Sequence, residues 1–382
     1  MFFYNNLKFY LLSFITLILQ FLFLAIIKEF ENDFNHYIQI MAINSLLISF
    51  IGSIQFYFEQ KKNLITLKFY KKTLIILIIT IVLIACYYFF VDLRWFSFFL
   101  TSIASLIFFT INTAHNARFN KFNKNTKLLL NYSLIKFLSI YVAYKNNFDI
   151  VYLLVFSNIV VILLSSKIIK NIYLILNKEN SFSIKSVINN ILGTGNTTLD
   201  KLYCTNFATL IAANYFIIFK VASVFQYFTE VIFRKERFMI TEGKLKIDNK
   251  IIFIKFITLF ISIICLNLFI DQFEKYLNYY SHLEINFIIS FLKIIVLYNN
   301  EFTLIAFAFL INSVSGLTYD KIYRNFGNNY LIYVNLINVV LLTIFLFQFG
   351  STLSNLAIIF FSVHLINYFL IKILEIYLKK KI

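Results

Sequence analysis

Apolar residues in this chain come in long, nearly uninterrupted runs. Stretches such as LLSFITLILQFLFLAII and TLIILIITIVLIACYYFFV have the length and purity of bilayer crossings, which take about 20 apolar residues. The pattern predicts membrane helices at 7–27, 36–58, 72–91, 95–114, 128–145, 150–168, 187–211, 213–233, 251–270, 303–320, 330–349 and 353–376. Residues 283–297 are apolar but short, and read as an interfacial or outer-leaflet helix. The first run is too long for a cleavable signal and lacks a small-residue cleavage site, so it is expected to stay as a span. The expected fold class is an all-α polytopic membrane protein with about 12 transmembrane helices.

One segment interrupts the pattern. GTGNTTLDKLYCTN, from Gly193 to Asn206, is polar, yet it sits between apolar runs and holds two of the chain's seven glycines. Loop charges decide how it is read. Lys61, Lys62, Lys68, Lys71 and Lys72 follow the second span; Arg118, Lys121, Lys124 and Lys127 follow the fourth. Lys167, Lys170, Lys178 and Lys185 follow the sixth, and Arg234, Lys235, Arg237, Lys244, Lys246 and Lys250 the eighth. Lys321 and Arg324 follow the tenth, and the tail carries Lys379, Lys380 and Lys381. The intervening loops hold half of the 18 acids, among them Glu29, Asp33, Asp92, Asp149 and Glu301. By the positive-inside rule both termini and every even-numbered connection are cytoplasmic. Without a crossing at 187–211 every later loop would be inverted. The paired Gly193 and Gly195 leave room there for a kink or break lined by water or protein.

Short matches suggest an internal repeat. Ser53–Glu59 at the end of the second span resembles Ser223–Glu230 at the end of the eighth. Asn112-Thr113 through Lys121 resembles Asn312-Ser313 through Lys321, and one insertion in the 271–302 connection reconciles the two registers. Two parallel six-helix bundles, 1–180 and 181–382, are therefore expected, an arrangement found in transporters.

Composition narrows the function classes. The chain is 60% hydrophobic and only 14% charged, where a soluble domain carries about 25% charged residues. Its net charge of +17 would suggest nucleic acid in a soluble protein, but here the positive charge is distributed as loop topology signals. No nucleic-acid partner is expected. Cys86, Cys204 and Cys265 stand at unrelated spacings inside predicted spans, which indicates neither a disulfide framework nor a metal site. There is no P-loop, zinc spacing or serine–histidine–acid arrangement, so no cofactor, metal or catalytic residue is assigned and the chain is read as a non-enzyme.

The candidate site residues are polar groups at membrane depth, which usually face a bundle interior or a wet cavity. Asp200 and Lys220 fall at similar depth on consecutive helices, so an ion pair between them is expected, with Lys201 as the other possible partner of Asp200. Asn189, Asn196, Asp200 and the row Gly193, Thr197 and Cys204 recur at helical spacing and make one face of the seventh span small and polar. The substrate or cavity candidates are Asp200, Lys201, Lys220, Asn196, Thr197, Gln226 and Lys136. The bland reading is a buried structural pair. Gln20, Asn44 and Gln55 read as interhelical hydrogen-bond partners, and His115 and His364 as packed or interfacial side chains.

NTTLDKLYCTNFATLIAANYFIIFKVASVFQYFTEVIFRKERFM resembles the central segment of polysaccharide-export flippases, the Wzx type of the multidrug/oligosaccharidyl-lipid/polysaccharide superfamily. In that family an acid-bearing seventh span is followed by a short turn and a Tyr-x4-Lys/Arg run. Here these are Asp200, then Tyr215 to Lys220 and Val221-Ala222-Ser223. HYIQIMAINSLLISFIGSIQFYFEQKK and FLINSVSGLTYDKIYRNFGNNY fit the family's second and tenth spans, whereas the acidic first loop KEFENDFNHY departs from it. The resemblance implies a bacterial inner-membrane flippase that carries undecaprenyl-diphosphate-linked oligosaccharide to the periplasmic face by alternating access. It also implies a polysaccharide polymerase and chain-length machinery as partners. Two other readings stay open: a cation-coupled drug antiporter of the same superfamily, and a membrane polysaccharide polymerase, for which His282 and a few acids in 271–302 are the only catalytic material.

Overall fold

A computed structural model describes residues 2–60, 71–118, 122–165, 184–233, 236–237, 240, 249–279, 286–327 and 329–380. The loop cations Lys61, Lys62, Lys68, Lys121, Lys167, Lys170, Lys178, Arg234, Lys235, Lys244, Lys246 and Lys381, and also His282, lie outside these residues, as do the side chains of Gln55, His115 and Glu230. Among the described residues there are fourteen α-helices and no strand. They are α1 (Phe2–Ile27), α2 (Glu31–Gln60), α3 (Lys71–Val91), α4 (Leu93–Arg118), α5 (Phe122–Asn146), α6 (Ile150–Ser165) and α7 (Ile184–Gly195). Then follow α8 (Leu199–Phe207), α9 (Thr209–Ile232), α10 (Asn249–Tyr279), α11 (Asn286–Leu297), α12 (Asn299–Phe326), α13 (Asn329–Phe349) and α14 (Leu353–Lys379).

Each predicted apolar segment coincides with a helix. The seventh is split in two, at α7 and α8. Among the described residues six helices, α4, α9, α10, α12, α13 and α14, are long and apolar enough to cross a membrane; shorter apolar stretches occupy α1, α3, α6 and α11. With 12 residues, α11 is about 18 Å long, too short to span a hydrocarbon core of about 30 Å. Large apolar side chains point outward in numbers a water-soluble fold would not tolerate: Phe90, Leu210, Phe253, Ile254 and Leu297 are all well exposed. The chain is an all-α membrane protein.

The helices form two compact units, Met1–Thr194 and Gly195–Ile382. The division falls where α7 ends. In the first unit α4 is the hub and packs against α2, α3, α5 and α6, while α1 packs on α5 and α5 on α6. In the second, α12 packs against α9, α10, α13 and α14, while α8 packs on α13 and α13 on α14. Setting α8 beside α1, α9 beside α2, α10 beside α3, and α12 to α14 beside α4 to α6, these pairings recur in both units. This is the order the sequence matches proposed. Two elements are left over: α7, at the end of the first unit, and α11, which falls in the 271–302 connection where the sequence expects an insertion.

Interhelical polar bonds accompany the apolar packing. Asn44 donates to Ser102 at 2.6 Å between α2 and α4, and Gln20 to Ser133 at 3.4 Å between α1 and α5. The expectation for these two amides holds. In the second unit Thr229 and Ser313 share a 2.5 Å bond between α9 and α12, and Asn338 donates to Asn367 at 2.6 Å between α13 and α14. Such bonds are worth about 0.6 kcal/mol each in membrane bundles, so they fix register more than they hold the bundle together.

Candidate functional site

The polar segment builds its site around two interruptions of the helix. α7 stops at Gly195, whose bare Cα faces α13: a Cβ there would stand 3.4 Å from Val339 Cγ2. Asn196–Thr198 make a turn in which the Thr198 N–H donates to the Gly195 carbonyl at 3.2 Å. α8 then restarts at Leu199 and places Asp200 in its first turn, where the helix dipole favours a carboxylate. A second break at Ala208 reverses the chain into α9. The polar face breaks at the glycines, where the sequence left room for it, and becomes two short faces on either side of a turn.

Asp200 and Lys201 are both buried and paired with each other. The Lys201 Nζ lies 3.1 Å from Asp200 Oδ1 and 3.2 Å from Oδ2. The Lys201 backbone N–H also donates to Oδ1, at 2.9 Å, and the Tyr215 hydroxyl donates to Oδ2 at 2.5 Å. The ammonium further donates to the Thr197 carbonyl one turn back. It stands 3.3 Å from the centroid of the Phe219 ring, on the negative face that attracts a cation. Phe219 packs against Phe309 and Phe360, each 5.2 Å away, and His364 abuts Phe360 at 4.4 Å. The result is a charge pair neutralised in place and roofed by the Phe219 ring, which Phe309 and Phe360 back, with His364 packed on Phe360. A buried pair is tolerable only when its remaining hydrogen-bonding capacity is met. Here the carboxylate accepts bonds at both oxygens, and the ammonium has an acid, a carbonyl and a ring.

The other sequence candidates fall in different places. Asn196 is buried in the turn, and its Oδ1 has no hydrogen-bond partner among the described residues. Thr197 lends its carbonyl to Lys201. Lys220 is exposed, its Nζ 5.5 Å from the Phe216 ring centroid. Five residues separate it from Tyr215, about 140° around the helix, so the face of α9 that meets Asp200 is not the one that carries Lys220. The expected Asp200–Lys220 pair is replaced by the neighbouring Lys201. Gln226 is half-buried further along α9. Lys136 belongs to the first unit, on α5, buried with its ammonium 4.5 Å from the Tyr132 ring centroid.

Tyr215, Phe219 and His364 complete the site without having been read as parts of it. A signal for Tyr215 was present. Asp200 and Tyr215 stand almost equally far on either side of Ala208, so a hairpin there brings them level. His364 is buried with neither ring nitrogen hydrogen-bonded among the described residues. Nothing in the sequence around it announces that. Comparison of the chain with protein-family models, with curated proteins and with solved structures gave no match.

Proposed function

We propose that the chain is a flippase for lipid-linked oligosaccharide, moving undecaprenyl-diphosphate-bound repeat units from the cytoplasmic to the periplasmic face of a bacterial inner membrane. The observation that carries the transporter reading is the recurrence of one helix-pairing scheme in both units, the internal-repeat construction typical of secondary transporters. The substrate class comes from the family resemblance of the α8–α9 segment. In this reading the chain crosses the bilayer twelve times, α7 and α8 together making one crossing, with both termini cytoplasmic.

The chemistry of the site suits an anionic lipid. Asp200 neutralises Lys201 while no substrate is bound, which makes the resting charge pair tolerable in a low-dielectric setting. A diphosphate offers the same charge-assisted contacts as the carboxylate. Exchange of Asp200 for diphosphate on Lys201 would leave the carboxylate held by Tyr215. A site in which the acid already carries its own ammonium is less suited to cationic drugs, which favours the flippase over the antiporter.

The test is a deletion strain complemented with the wild type, Asp200→Asn or Tyr215→Phe. Loss of the gene product is expected to abolish surface glycan and to trap single lipid-linked repeats on the cytoplasmic leaflet. Both variants, at equal membrane levels, are expected to complement poorly. Repeats accumulating on the outer leaflet instead would indicate a polymerase and overturn the reading.

A further inference from the structure

At one end of the second unit lie three lysines and an acid. Lys372 and Lys379 are seven residues apart on α14 and so share a face. Glu375 lies between them and accepts from Lys372 at 3.1 Å and from Lys379 at 2.9 Å. Lys321 on α12 is the neighbour of Ile322, which packs in one core with Ile371 and Leu378 of α14. Two ammonium groups thus hold one carboxylate, with a third lysine at the same end of the unit. The acid is mostly covered, its side chain 14% exposed, whereas Lys379 is 69% exposed and Lys372 39%. Beneath them Ile322, Leu331, Val334, Ile371 and Leu378 form a core joining α12, α13 and α14, with Tyr319, Tyr323 and Tyr330 packed on it. The lysines therefore stand on a rigid base.

Beside this cationic row runs an apolar stripe. Ile358, Phe369 and Ile376 follow each other at eleven and seven residues on α14, one face of the helix, about 40–60° around from Lys372. All three are at least half exposed. A ligand that meets both rows must be anionic at one end and hydrocarbon at the other.

We infer that the base of α12 and α14 is a binding site for the headgroup of an anionic phospholipid, with Lys321, Lys372 and Lys379 on the phosphodiester and the acyl chains along Ile358, Phe369 and Ile376. Glu375 holds the two α14 lysines in place between ligands. Its own charge opposes the phosphate, so the lysines supply the attraction. Free phosphate makes only half of these contacts, because it has nothing to lay on the stripe. The site is independent of the transport reading, since it requires only that the chain sits in a membrane.

The experiment is native mass spectrometry of the full-length protein in detergent, titrated with phosphatidylglycerol or phosphatidylcholine, alongside thermal unfolding in inorganic phosphate. Phosphatidylglycerol adducts should dominate, fall about fivefold for each lysine removed in Lys379→Gln and in the triple variant with Lys321→Gln and Lys372→Gln, and increase in Glu375→Gln. Lys379 lies at the exposed helix end, so its replacement leaves the fold intact. Equal retention of the two lipids, or equal retention by wild type and Lys379→Gln, overturns the site. Displacement of the lipid by inorganic phosphate at millimolar concentration assigns the lysines to a free anion and overturns the lipid.

Discussion

Asp200 and Lys201 are adjacent in sequence, yet each depends on the other for being buried at all. Removing one leaves an uncompensated charge under the phenyl rings, which costs about 3–5 kcal/mol for a buried pair. Removing both leaves none. Asp200→Asn and Lys201→Met are each expected to lower the thermal stability of the purified protein strongly, and the double variant to be more stable than either single one. A double variant as unstable as the sum of the two would show that the residues act separately. Tyr215→Phe tests the third member. It removes a hydrogen bond to a charged acceptor, worth about 1.5–3 kcal/mol, and should lose much of its effect once Asp200 is already Asn. Lys220→Ala, by contrast, should lower stability much less than these, because its side chain is exposed and lies about 140° around α9 from Tyr215.

At the scale of elements, the first unit ties two helix connections together with one guanidinium. Arg94 donates to Asp92 in the α3–α4 connection at 2.7 Å and to Asp149 in the α5–α6 connection at 2.8 Å. Asp33 at the start of α2 feels the same charges. Hydrogen bonds from the Arg94 side chain hold the Asp92 carboxyl below its ordinary range. Burial, then repulsion from Asp149, pushes Asp33 above it. The two carboxyls therefore act with opposite sign. The Asp92 contribution is fully present above the ordinary carboxylate range and is lost as pH falls through its depressed value. The Asp33 carboxylate disfavours the fold at neutral pH, and that penalty disappears as pH falls through its raised value. Thermal unfolding between pH 3 and 7 should find Asp92→Asn less stable than wild type and Asp33→Asn more stable at neutral pH, with both differences shrinking toward the acid end. Identical pH profiles for all three proteins would count against the clamp. These elements also show how far the pattern could be read. Long apolar runs mark helices because each must satisfy its own backbone in lipid, so the helices were legible, whereas the central packing of α4 and α12 emerges only in the structure. The pairing of Asp200 was not legible either, because depth along a helix can be counted from the sequence while azimuth depends on where a helix breaks. The breaks that set it fall after Gly195 and at Ala208. His364, read from the sequence as a packed or interfacial side chain, is buried against Phe360, but its neighbourhood to the charge pair was not legible.

For the whole molecule the decisive question is whether α7 and α8 together complete a crossing. If they do, the two units are parallel repeats with the same number of crossings. If α7 and α8 both stay at one surface, the second unit enters the membrane inverted and the repeat becomes antiparallel. Neither α7, with 12 residues, nor α8, with 9, can span the bilayer alone. Together they hold 21 helical residues, about 30 Å at helical rise, so a crossing requires that they run end to end. Single cysteines read the answer directly. In a background with Cys86, Cys204 and Cys265 replaced by alanine, Ala208→Cys lies at the α8–α9 reversal, Asp149→Cys in the α5–α6 connection and Lys250→Cys at the start of α10. A membrane-impermeant maleimide applied to right-side-out vesicles is expected to label positions 208 and 149 and to spare 250. Inside-out vesicles should show the reverse. Labelling of 208 and 250 from one side would mean that α9 does not cross. Labelling of 208 from the side opposite to 149, with 250 on the side of 149, would place α7 and α8 at a single surface and overturn the twelve-crossing topology.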